Sequence, residues 1–465
     1  MKKIRYIIGV AAFALCSVAF AQQSRTYNAT QSLYESDVDD YMSVTDFTNV
    51  EPENIFAFTN FYSGTPSFGV AKEFGTVYTG LYFSGWFNRP YSTSKTAEVL
   101  GTTYTGTIKG SGAGLDEDDI NSVLGAGMSD GFQLPDYDSS YPKTVSMAAL
   151  VGIKDIGIKL NLYFDPHNSY TLNWSDGTES IEYSGKSKSS TEIALSAGTK
   201  LDKETFVLTP WGRLSWTGYS EHDELVDKTP TETVTIKNNY GDNNYFEISG
   251  GVGMETKKED LTHTLDLYLR GNFTLYDKQL YSWTSTDPAA TSHETTREQF
   301  AFGLYMTPSY KLQFDPEERF SIALKAGLPI GYYRYSRGPE FEDNVQQDYE
   351  YSAVDFYLSP SVDVAARWFA IPDKLTVNLG LGANFNNLLG YSYHATAHSD
   401  AHNAWKFLDG GVSLSASTGV SFDFAKGITL DTSYNIVRAY NSELGTKLSD
   451  IWSLSNMSFQ LSVKL

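Results

Sequence analysis

Between Leu261 and Tyr276 every second residue is built for a different solvent. Odd positions carry Leu261, His263, Leu265, Leu267, Leu269, Gly271, Phe273 and Leu275; even positions carry Thr262, Thr264, Asp266, Tyr268, Arg270, Asn272, Thr274 and Tyr276. A strand sends successive side chains to opposite faces, so this run has one apolar face and one polar, charged face. The rhythm recurs: Ile156, Ile158, Leu160, Leu162 and Phe164 alternate with Gly157, Lys159, Asn161 and Tyr163. It returns over 320–330, 375–385, 412–424 and 457–465. Alternation holds for roughly 10–16 residues, whereas ordinary strands run about 5–6 and a tilted bilayer crossing takes about 9–11.

After residue 21 no stretch of 18 or more apolar residues occurs, so no membrane-spanning helix is expected. A membrane barrel spreads its apolar surface over alternate positions of many strands and leaves no such run. The 32 Tyr, 27 Phe, 8 Trp and 38 Gly suit long twisted strands with aromatic belts at the two interfaces, and Trp86, Trp216, Tyr276, Trp368 and Tyr391 fall near strand ends.

The connections alternate in length. Tight ones fall at 74–75, 154–155, 202–204, 259–260, 315–318, 372–373 and 426–427. Long polar stretches occupy about 89–143, 165–190, 221–243, 280–297, 338–348, 395–404 and 442–450. Short periplasmic turns and long outer loops are the asymmetry of an outer-membrane barrel. The spacing predicts an all-β fold, a transmembrane antiparallel β-barrel of about sixteen strands over residues 54–465. Ile55 to Tyr62 is apolar on both faces, which leaves an alternative: fourteen strands, with residues 22–75 as a plug.

The N-terminus reads as an export signal. Lys2, Lys3 and Arg5 precede an apolar stretch, and Ala19-Phe20-Ala21 offers a small-x-small cleavage site, giving a signal peptide over 1–21 and a periplasmic or plug segment over 22–53. Phe13-Ala14-Leu15-Cys16 is a rival lipoprotein box, although Leu15 is larger than that site prefers. Cys16 is the only cysteine, so the processed chain has no disulfide, cysteine nucleophile or thiolate metal site. The net charge of −21, less the three positive charges of the signal, becomes −24, which excludes nucleic acid as a partner.

Charged residues on the polar rows are the candidate pore lining: Lys159, Arg213, Asp266, Arg270, Lys325, Asp355, Asp363 and Asp423. Such residues set ion preference in a pore, or fill it as a salt-bridged network. His394, His398 and His402 stand four apart, which on a helix would place them on one face to hold a transition metal; the segment is short and follows a strand, and loop polarity is the safer account. Asp116 to Asp119 opens a possible short helix through Leu124, and lacks the spacing of a calcium loop. Linear motifs of metalloproteases, P-loops and serine hydrolases are missing, so the chain is expected not to be an enzyme and to use no cofactor.

The run Phe68-Gly69-Val70-Ala71-Lys72-Glu73-Phe74-Gly75-Thr76-Val77-Tyr78-Thr79-Gly80-Leu81-Tyr82-Phe83-Ser84-Gly85 resembles the early hairpin of predicted outer-membrane barrels from treponeme-like spirochaetes. More loosely it is similar to the outer-membrane fatty-acid transporter superfamily. That superfamily's Asn-Pro-Ala element is missing here, and Leu465 stands where the usual assembly signal ends in an aromatic residue. The resemblance implies a place in the outer membrane, with lipid and the barrel-assembly machinery as partners. The chain is expected to be a channel or transporter for small solutes; a surface adhesin or structural barrel with an occluded lumen is the alternative.

Overall fold

In the computed structural model the described residues are 42–47, 55–61, 67–85, 90–99, 102–111, 144–165, 169–317, 319–343, 345–346, 350–372, 374–396, 399–407, 411–425, 428–437 and 457–464. The expected signal peptide with Ala19 and Ala21, Cys16, and the Asp116–Asp119 segment lie outside them.

The strands are β1 (Phe56–Phe61), β2 (Ser67–Phe74), β3 (Val77–Gly85), β4 (Pro90–Val99), β5 (Thr102–Ser111), β6 (Val145–Ile153), β7 (Ile156–Asp165), β8 (Ser169–Ser175) and β9 (Ser180–Thr199). There follow β10 (Leu201–Asp202), β11 (Val207–Lys228), β12 (Thr233–Asn239), β13 (Asn243–Lys258), β14 (Leu261–Tyr276), β15 (Gln279–Ser285), β16 (His293–Glu317), β17 (Phe320–Gly327) and β18 (Ile330–Glu342). The last are β19 (Val345–Gln346), β20 (Tyr351–Leu358), β21 (Ser361–Ile371), β22 (Leu375–Phe385), β23 (Leu389–Thr396), β24 (Ser399–Phe407), β25 (Val412–Ala425), β26 (Ile428–Val437) and β27 (Met457–Lys464).

Every pairing is antiparallel, and the wall closes on itself. It passes from β1 through β2, β3, β6, β7, β9, β11, β13, β14 and β16. It continues through β17 with β18, β21 with β20, β22 with β23, and β25, to β26 and β27. The final strand then pairs with the first, Thr59 opposite Leu461. Counting each broken strand once, the described residues make sixteen traverses of the ring. Both sheet edges vanish in that closure. Residues 56–61 and 67–74, which the fourteen-strand alternative drew into a plug, are wall.

Two of the breaks fall at prolines. Pro329, between β17 and β18, and Pro360, between β20 and β21, lack an N–H and interrupt the ladder, and Pro308 lies beside them within the unbroken β16. Their carbonyls still accept across the seam, from Leu328 N, Ser359 N and Phe385 N, each at 2.9 Å.

The outside of the ring is apolar. Leu160, Leu195, Leu214 and Ile248 lie side by side in register on four adjacent strands, 41–64% exposed. Leu265, Leu269, Leu304, Leu324, Leu379, Leu381 and Phe424 continue the exposed apolar surface around the ring. A belt of this extent is far larger than the patch a protein in water leaves uncovered. Its solvent is hydrocarbon, and the fold is a transmembrane β-barrel.

Many of the long polar stretches are not irregular loops but hairpins that carry the sheet onward at one end. β8 pairs with β5 and with the start of β9, and β12 bridges the end of β11 to β15. Thr233, Val234, Thr235 and Ile236 are β-branched, which favours strand where polarity had suggested loop. At the tips, His293 Nδ1 lies 2.5 Å from Asp343 Oδ2 and holds that exposed carboxyl below the usual aspartate range. At the other end the turns are short. Lys154 and Glu259, each first in a two-residue turn, have φ of 55° and 54°.

Inside, a buried apolar cluster among the described residues joins the wall to residues preceding it. Met42, Val44 and Phe47 pack with Phe56, Phe58, Ala71, Tyr78 and Leu150. Phe56 and Phe58 turn inward onto this segment, which accounts for the apolar residues at those positions.

Candidate functional site: the inner wall of the barrel

Closure and alternation together decide which side chains share the interior. Outward Leu214, Leu269 and Leu304 fix the parity of their strands, so their neighbours along the chain point inward. Following the register, one inward row reads Lys159, Ser196, Arg213, Ser249, Arg270, Tyr305, Gly331 and Tyr357. Three cations predicted from scattered strands thus stand on one register row.

Each of two of these cations has an acid. Arg213 pairs with Glu192. Arg270 Nε lies 2.9 Å from Glu247 Oε2, and its Nη2 donates to the Tyr245 hydroxyl at 2.7 Å. Tyr245 in turn donates to Glu247 Oε2 at 3.0 Å, and Ser249 Oγ to Glu247 Oε1 at 3.2 Å. The Arg270 guanidinium also sits 4.9 Å above the Tyr305 ring. The interior is therefore polar but locally neutralised.

The other predicted residues are spread along the axis. Asp355 faces Tyr333 one row away. Lys325 lies between Lys311 and Asp363 in register. Asp266 and Thr209 close over Gly253, where an added β-carbon would come within 2.8 Å of Asp266 Oδ1. Asp423 accepts a hydrogen bond from the Thr429 hydroxyl near the short-turn end. With Asp46, Lys200, Glu255 and Lys311, residues Asp266 and Lys325 line a cavity of about 570 Å³ beneath the 42–47 segment.

The histidine spacing takes on a different meaning. Residues 389–396 and 399–407 are paired strands rather than a helix, and His394 stands directly opposite His402. The one-face argument at four-residue spacing therefore fails: Tyr391, Tyr393 and Ala395 alternate as a strand requires. His398 and the side chains of His394 and His402 lie outside the described residues.

Two features were missed in the sequence. Glu192 and Glu247 complete the ion pairs, and nothing short of strand register would single them out. The second is a shelf of three glycines: Gly152, Gly157 and Gly198 are successive register partners, flanked by Tyr78 and Trp211. A β-carbon on Gly157 would lie 2.5 Å from the Val44 carbonyl oxygen, and one on Gly198 would lie 2.8 Å from Val44 Cγ2. One on Gly152 would collide with the Phe47 ring, itself 5.1 Å from Tyr78. Only glycine lets the 42–47 segment lie against the wall at this height.

No protein-family model matches the chain, and no curated protein sequence does. Among solved structures it is similar to the P. putida toluene transporter TodX, at 10% identity over 94% of this chain and 96% of that one, with a TM-score of 0.33. The ferric-catecholate import receptor Fiu from E. coli K12 overlaps 89% of this chain and 81% of its own, at 9% identity and a TM-score of 0.26. The translocator domain of the autotransporter NalP from Neisseria meningitidis overlaps 90% and 91%, at 10% identity and a TM-score of 0.26.

Proposed function

We propose that this chain is an outer-membrane channel that passes small solutes, with a short N-terminal plug seated on its inner wall. One observation supports this above the others: a closed ring that is apolar outside carries a polar inside with its charges set in pairs, Arg213 with Glu192 and Arg270 with Glu247. A wall meant only to be filled would be served as well by packed apolar residues. Ion pairs and hydroxyls left half-exposed in the interior suit water and solutes moving past them. On this reading Lys159, Arg213, Asp266, Arg270, Lys325, Asp355, Asp363 and Asp423 line the path.

The signal over residues 1–21 would deliver the chain across the inner membrane, and the assembly machinery would insert it with the short turns facing the periplasm. Residues 22–53 would then lie at the periplasmic mouth, with 42–47 reaching the glycine shelf. Folded protein in planar bilayers tests the reading. It should conduct ions, and Gly157→Val, which denies Val44 its seat, should raise conductance severalfold at unchanged barrel stability. Absence of conductance in both proteins would defeat the channel.

A second reading has its own support. The 42–47 segment is built into a buried apolar cluster, as a permanent filler would be, and the hairpins at the opposite end stand clear of the bilayer. A surface-binding barrel would keep its low conductance in Gly157→Val and lose attachment when 229–241 is shortened.

A further inference from the structure

Above the plug, aromatic side chains climb the inner wall. Trp211 and Tyr268 stand in the glycine-shelf row, separated in register only by Gly251, with ring centroids 5.8 Å apart and planes 23° apart. One inward row higher are Tyr305 and Tyr357, 6.3 Å apart. Higher still, Tyr335 lies 6.0 Å from Tyr351. From Tyr268 to the level of Tyr351 the track covers eight residues of strand, about 27 Å at roughly 3.4 Å per residue.

Glycines let these rings lie flat. A β-carbon on Gly251 would come 2.9 Å from the Trp211 Nε1, and one on Gly303 would come 2.8 Å from the Tyr305 ring. One on Gly331 would come 2.2 Å from the Tyr357 ring, which lies over the backbone of its register partner. An aromatic ring flat against the sheet turns a face toward the lumen. Filling glycine gaps is one use of such rings; a row of them rising from the plug makes a stacking surface.

The groups between the rings say what would stack. Arg270 stands over Tyr305, with Glu247, Tyr245 and Ser249 bonded around it, and the Tyr335 hydroxyl donates to Gln299 at 2.8 Å. A hydrocarbon sliding past would strip water from these groups and offer no bond in return. An ion would find Arg213 and Arg270 already paired. A solute with a flat C–H face and a rim of hydroxyls satisfies both the rings and the donors between them. We propose that the track takes saccharides, stacked on the rings as they move through the barrel. This rests on the channel reading and names its substrate class.

The test uses the full folded chain in planar bilayers, with a linear α-1,4-linked glucose hexamer as the probe and polyethylene glycol of equal mass as the size control. The hexamer should interrupt the ion current reversibly at millimolar concentration, and the polymer should not. Tyr357→Ala combined with Trp211→Ala should raise the half-blocking concentration at least tenfold, whereas Tyr357→Phe should leave it within twofold. Equal block by polymer and sugar, or alanine variants that fold with unchanged heat-dependent gel migration and block as the parent does, would overturn the proposal. Should the protein carry no current, the channel reading fails separately. Tryptophan fluorescence of the detergent-folded protein then decides the track: a change with hexamer that Trp211→Phe removes upholds it, and no change overturns it.

Discussion

The interior of this barrel is held by contacts that no local stretch of sequence contains. Arg270 was legible as a cation on a polar row, because Leu269 and Gly271 flank it on the other face. Its partner Glu247 was not, because the two meet only when β13 and β14 pair with Ser249 opposite Arg270. The glycine shelf was hidden in the same way: Gly152, Gly157 and Gly198 look like ordinary strand glycines until register brings them together under Val44 and Phe47. Glu247→Ala would remove the acceptor that Arg270, Tyr245 and Ser249 share. Loss of hydrogen bonds to a charged group in a half-buried setting costs about 1–3 kcal/mol. Urea unfolding from liposomes should show that loss, and the reversal potential in a salt gradient should move toward anion preference as an unpaired guanidinium is left in the lumen.

Among the elements, the strands were the most legible, since lipid on one side and water on the other write a period of two that neither solvent tolerates being broken. β14 begins and ends where its alternation does, Leu261–Tyr276. What lies beyond the bilayer was read less well. Without lipid on one face the period-two contrast fades, so the β11–β12 hairpin passed as polar loop, and the histidines at 394 and 402 were fitted to a helix they do not form. Turns at the other end carry a cost visible only in the backbone. Glu259 has a β-carbon at φ 54°, in the left-handed region that disfavours such residues by about 1–2 kcal/mol. Glu259→Gly should therefore stabilise the β13–β14 turn by about 1 kcal/mol in the same unfolding assay, part of the gain being offset by glycine's freedom in the unfolded chain.

For the whole molecule, closure matters most. Pairing of β1 with β27 leaves no free edge, confines the apolar positions to one side of the ring and the ion pairs to the other, and makes an interior out of what would be one face of an open sheet. The proposed channel, its proposed plug and the proposed aromatic track all depend on that separation of solvents. It can be measured residue by residue, because Cys16 is the only cysteine and lies within the proposed signal. Single cysteines carried through 261–276 and spin-labelled in liposomes should show oxygen accessibility peaking at Leu265, Leu269 and Phe273. Accessibility to a water-soluble nickel chelate should peak at Asp266, Arg270 and Asn272, a strict alternation across the strand. Accessibility to water on both sets of positions, or to oxygen on both, would contradict the barrel and everything built on it.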